Sequence, residues 1–218
     1  MESTLHRTFI NKRPLWHSVP ARIVSWIFHP VFIPVYVSAF LLFVHPYLFS
    51  GYSNAFKWQR LATVFINLTF IPGFAVFLMG RLNLIESMQL RTAKERIIPY
   101  AAAIIFYFWC WYVMSRQPDN PPAFTDFLQG SFFSVCGAWI ININSKISMH
   151  TTAVSGMLVF MLLFSFSDPF FSFLYLICTL LIMGLVVTAR NLVSDHSTLE
   201  IVQGILTGAA GMLMAWWL

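Results

Sequence analysis

Residues 170–189 read FFSFLYLICTLLIMGLVVTA, residues 190–200 read RNLVSDHSTLE, and residues 201–217 read IVQGILTGAAGMLMAWW. The outer pieces are each close to the roughly 20 apolar residues that a helix needs to cross the hydrocarbon core of a bilayer. The middle piece is the polar gap between them, and it carries Arg190, His196 and Glu200. The stretch therefore reads as two membrane helices joined by a short functional turn. Glu200 follows His196 by four residues, which puts both on one helical face, where a carboxylate can fix the tautomer of an imidazole.

The rest of the chain has the same character. Of 218 residues, 58% are hydrophobic and only 10% are charged, whereas a soluble domain carries roughly 25% charged residues. With a mean hydropathy of +0.72, the chain reads as an integral membrane protein rather than a soluble enzyme. The net charge of +5 calls for no nucleic acid, since basic residues flanking membrane helices account for it. Cys110, Cys136 and Cys178 lie scattered inside apolar runs, where cysteine serves as a small core residue rather than a metal ligand.

Further apolar runs lie at about 23–49, 60–80, 97–115, 124–142 and 151–166, followed by the 170–189 and 199–217 runs. Several are slightly short, so six and seven spans both fit. Residues 1–22 form an N-terminal segment, and 23–218 a single transmembrane domain. Arg116-Gln-Pro-Asp-Asn-Pro-Pro122 and Ser167-Asp168-Pro169 are turn signals between runs. Each pair of crossings returns the chain to the same side. The N-terminus, Arg81–Pro99, Asn142–His150 and Arg190–Glu200 therefore share one face. That face carries ten Lys and Arg residues (Arg7, Lys12, Arg13, Arg22, Arg81, Arg91, Lys94, Arg96, Lys146, Arg190), against Lys57, Arg60 and Arg116 opposite. The positive-inside rule places it in the cytoplasm and the protein in the cytoplasmic membrane.

A second histidine, His150, opens the 151–166 run just after Lys146 and Ser148. Two histidines, arginines and a carboxylate at membrane boundaries form a set suited to phosphoryl transfer without a metal. Arginine holds phosphate bidentately, one imidazole can attack phosphorus, and the other can protonate the leaving oxygen. Helix N-termini add backbone amides for anion binding. His29-Pro30 and His45-Pro46 read first as helix-start punctuation, although His29 lies near the shared face and could line the site. Asn142 and Asn144 read as caps for the preceding helix, and Glu95 as a local partner of a nearby base.

These segments resemble the type 2 phosphatidic acid phosphatase (PAP2) superfamily. Its pattern is a Lys, six residues, Arg-Pro; then Pro-Ser-Gly-His; then Ser-Arg, five residues, His, three residues, Asp. Here the third motif runs Ala189-Arg190 to His196 and Glu200, with Arg and His at the family interval and Glu for Asp. The second runs Ile147-Ser148-Met149-His150, keeping Ser and His. For the first, Pro99 in register places Arg91 at the lysine position, while Arg96 in register as the arginine places Gln89 there. The resemblance covers about residues 81–217. It implies an all-α, polytopic PAP2-like bundle that hydrolyses a phosphate monoester or diphosphate on a phospholipid or polyprenyl lipid. His196 would be the nucleophile that becomes phosphohistidine, Glu200 its orienting carboxylate and His150 the general acid. Arg190, Ser148, and Arg91 or Arg96 would hold the phosphoryl oxygens, with no metal and no cofactor. The alternative is a catalytically impaired relative that binds lipid phosphates without turnover. A transporter fits less well, because the polar residues cluster at one face rather than at the midplane.

Overall fold

The computed structural model describes residues 15–85, 92–193 and 196–218. Among these, helices and turns are the whole structure: α1 Leu15–Ile27, α2 Ile33–Val44, α3 Asn54–Arg81, α4 Ala93–Ser115, α5 Pro122–Asn142, α6 Met149–Ser167, α7 Phe173–Val193 and α8 Thr198–Trp217. Five of them (α3, α4, α6, α7 and α8) are long and apolar enough to cross a membrane; α5 is of similar length, 21 residues, but less apolar. The protein is thus an all-helical, multi-pass membrane protein with eight helices among the described residues.

The first apolar run, expected as one span over 23–49, is two helices. The chain turns at Phe28–Phe32, where Pro30 lacks the N–H that would continue a helical ladder. The first of the two starts before residue 22 and straddles the boundary expected between N-terminal segment and membrane domain. It packs against α7; Ala21 and Ser25 are buried, while Val19, Ile23, Trp26 and Ile27 form an exposed apolar stripe. α2 then runs inward and ends in a π-helical turn at Phe40–Val44.

Side-chain contacts at both ends show how the remaining helices alternate. At one end, Asn142 Nδ2 donates to the Ala93 carbonyl, Arg96 Nη1 to the Ile147 carbonyl, and Ser148 N to the Glu200 carbonyl. At the other end, Arg60 Nε donates to Asn120 Oδ1, His45 pairs with Asp168, and Phe49 packs edge-on against Phe124. The starts of α4, α6 and α8 therefore share one face with the ends of α3, α5 and α7. This is the face-sharing that the polar segments predict.

α8 is wedged between α5 and α6 by three glycines. A Cβ on Gly208 would collide with the Thr152 carbonyl, and one on Gly211 would lie 2.6 Å from the Ser134 nitrogen. Small residues at four-residue spacing, as at Gly204 and Gly208, let membrane helices approach backbone to backbone. Close seating of α8 on α6 is what brings the α7–α8 turn against the start of α6.

Candidate functional site

The turn after α7 is shaped by a capping box. Ser197 Oγ accepts from the Glu200 N–H, and Glu200 Oε2 accepts from the Ser197 N–H. The box starts α8 and satisfies two amide groups left over at its N-terminus. It also fixes the Glu200 carboxylate beside His196, whose Nδ1 lies 3.1 Å from the same Oε2. Nδ1 is also 2.9 Å from the Lys146 carbonyl. Both partners are acceptors, so Nδ1 carries the ring proton and Nε2 carries the lone pair.

His196 is buried among cations. Burial lowers its pKa first, and the positive charges of Arg190, Arg96 and Lys146 lower it further, to about 3. Both causes disfavour the imidazolium. At neutral pH the ring is therefore an uncharged base with a defined tautomer, as a nucleophile or proton acceptor requires.

His150 stands in the first turn of α6 and is held differently. Its Nε2 is 3.0 Å from the Ser25 carbonyl of α1. That bond puts the proton on Nε2 and the lone pair on Nδ1. The His29 ring meets the His150 ring edge to face, with centroids 5.2 Å apart. So α1 and the turn after it supply one wall of the site.

One cavity of about 990 Å³ joins these groups. Arg22, His29, Arg96, Lys146, His150, Arg190 and His196 line its polar end. Among the described residues no carboxylate lines it, so the mouth is strongly positive. Below the mouth the wall becomes apolar, with Leu68, Val76, Ala103, Phe127, Val135, Met157 and Met212. Ser131, Ser134 and Thr152 also face it, but their hydroxyls donate to carbonyls of their own helix, and the Tyr100 and Tyr107 side chains add two phenol groups to a wall that is otherwise mostly carbon.

The structure brings four of the expected site residues, Arg190, His196, His150 and Arg96, onto the wall of this one cavity. Glu200 stands behind His196 as its orienting partner. Ser148 is not on the wall. It is fully buried, with its N–H on Glu200 and its carbonyl accepting from Thr151 and Thr152, so it ties α6 to α8. Arg91 lies outside the described residues. Glu95 caps α4 through a second capping box with Thr92, and Asn142 bridges α5 to α4, in keeping with a structural role.

Arg22 and Lys146 are cavity-lining residues that the sequence did not single out as site residues, and His29, which it offered as a possible lining residue second to helix punctuation, is on the wall as well. Arg22 was counted with the N-terminal segment, Lys146 with the basic face, and His29 with helix punctuation. Their one signal in the sequence was membership of the face that the crossings bring together. Among the described residues, no group of three or more His, Cys, Asp or Glu side chains is placed to hold a metal ion.

Fold and cavity together define a multi-pass membrane protein with a cationic, histidine-lined chamber opening at one face. No family, curated protein or solved structure matches the chain.

Proposed function

We propose that the protein is a lipid phosphatase of the PAP2 type, working through a phosphohistidine on His196. The observation that carries this reading is the state of His196: an uncharged imidazole, its Nδ1 proton held by Glu200 and the Lys146 carbonyl, set in a cavity whose only charged lining groups among the described residues are cations. In the first step the His196 Nε2 lone pair attacks phosphorus and the P–O bond to the lipid breaks. The leaving oxygen takes the proton that the phosphate monoanion of the substrate brings, relayed through the Nδ1 lone pair of His150. In the second step water attacks the phosphohistidine and passes its proton through His150 to the departing phosphate. Phosphate leaves and His196 regains its lone pair. Arg190 and Arg96 hold the phosphoryl oxygens and counter the charge that builds in the transition state. Glu200 and the Lys146 carbonyl keep the ring aligned and take up the positive charge it gains. The excess of basic residues at the motif end supports a site on the cytoplasmic side.

A second reading is binding of lipid phosphates without turnover. Two observations favour it: Met149 occupies the cavity wall where the family pattern has glycine, and the His150 Nε2 proton is committed to the Ser25 carbonyl. Phosphate release and lipid-phosphate binding, measured together, separate the two. For an enzyme, wild type releases phosphate in the presence of chelators, and His196→Ala binds but releases none. For a binder, neither releases phosphate, and both lose affinity when Arg190 is replaced by Ala. Turnover that survives loss of His196 refutes the phosphohistidine mechanism.

A further inference from the structure

The cavity reaches far deeper than a phosphate requires. On α5 the wall runs from Val135 down to Phe127, which lies fifteen residues from Asn142 at the motif end; on α8 it reaches Met212, fourteen residues from Thr198. At 1.5 Å rise per residue this is a depth of about 20 Å, some two thirds of the roughly 30 Å hydrocarbon core of a bilayer. A free phosphate or a soluble phosphate ester would use only the mouth.

One flank of the chamber is walled by a bent stretch of α3. α3 is held to the turn before α2 by Thr69, whose Oγ1 donates to the Val31 carbonyl at 2.6 Å. Thr69 lies in a π-helical turn, Ile66–Phe70, followed directly by Pro72. Both features are established causes of helix bending. Beyond the bend, the Ile71–Arg81 half of α3 packs chiefly against α4. Pro72, Gly73 and Val76 of this half line the cavity opposite Val31, Ile33 and Pro34. Gly73 lines the cavity and is exposed rather than covered by a neighbouring helix, and a Cβ placed there meets no atom within 4 Å. Gly73 lies eight residues before Arg81, about 12 Å below the polar boundary, at a depth where lipid chains rather than water surround the protein.

We infer that the apolar chamber is a binding site for the hydrocarbon chain of a lipid whose anionic head sits at the cationic mouth, and that the chain enters sideways between the His29–Pro34 turn and the Pro72–Val76 segment of α3. The head chemistry rests on the function proposed above; the chain site does not. The chemistry of the wall selects the occupant. Among the described residues the charged groups at the mouth are all cations, the interior is mostly carbon, and the gap faces the layer that holds lipid tails. The bend in α3 keeps the gap open below the mouth without breaking the contacts of α3 with α4.

The test uses a long-chain alkyl phosphate with a photoreactive diazirine at the end of its chain, added to the full-length protein in phosphatidylcholine vesicles, with labelled residues mapped by peptide mass spectrometry. The matched long-chain alcohol serves as a second probe. In wild type, the phosphate probe is expected to label the chamber floor around Phe127, Met157 and Met212. Gly73→Phe fills the gap and should cut that labelling at least tenfold. Gly184→Phe, at another glycine with open space over its Cβ but away from the cavity, should change it less than twofold. Labelling confined to outward-facing residues such as Phe74 and Phe166 in wild type overturns the inference without any variant, and so does Gly73→Phe labelling at the wild-type level. Equal labelling of the floor by the alcohol leaves the chain site standing and rejects the phosphate reading.

Discussion

Replacing His196 with Asn should flatten the acid side of the protein's stability profile. Asn keeps a donor close to the position of Nδ1, so the bond to the Lys146 carbonyl can persist while the titrating ring is gone. In the folded protein His196 titrates near 3 rather than at its ordinary 6.5, through burial and three neighbouring cations. The unfolded chain therefore binds this proton more readily, and stability falls as pH drops below about 6.5 and continues to fall toward 3. The full difference corresponds to about 5 kcal/mol at about 1.36 kcal/mol per pH unit. Between pH 6.5 and pH 5 the wild type should lose about 2 kcal/mol through this residue alone. For a chain of this size that is a Tm decrease of roughly 4–8 °C. The assay is thermal unfolding in detergent, followed by tryptophan fluorescence at pH 7.5, 6.5, 5.5 and 5.0, for wild type and His196→Asn. Other titrating groups contribute to both proteins and cancel in the difference. Parallel Tm curves for the two proteins across this range would refute the cationic, buried setting assigned to His196.

Gly208→Leu should destabilise the bundle by at least about 1–3 kcal/mol, the usual cost of overpacking, because its side chain must displace the Thr152 backbone; a lower Tm in detergent shows this, and an unchanged Tm rules out the close α6–α8 contact. A cysteine placed at exposed Lys94, in a background without the native cysteines, should resist a membrane-impermeant maleimide added outside intact cells and react once they are opened. Labelling from outside would reverse the orientation read from the basic residues.

The bundle was legible because membrane helices announce themselves by length, and because crossings alternate regardless of how the helices pack. The pairing of Ser148, His150, His196 and Glu200 segments at one end followed from that parity. What the sequence could not carry was the direction of side chains within an end. Ser148 and His150 are two residues apart at the start of α6, yet one is buried against α8 and the other faces the cavity. The split of the first run was signalled by Pro30 but masked by the continuous apolar composition on both sides of it. His29 and Arg22 entered the site only because α1 folds back onto α7, a tertiary contact with no local signature. The chamber is likewise a gap between helices, and gaps leave no pattern in the residues that border them.

α1 belongs to two environments at once. Its inner side bears the Ser25 carbonyl that fixes the tautomer of His150; its outer side is the exposed apolar stripe of Val19, Ile23, Trp26 and Ile27, a surface suited to lipid. Solvation of that stripe thus sets how firmly the wall beside His150 is held. Lateral pressure and headgroup spacing in the host bilayer become, through one short helix, parameters of the site itself, so that a micelle and a membrane present the same side chains with different degrees of order.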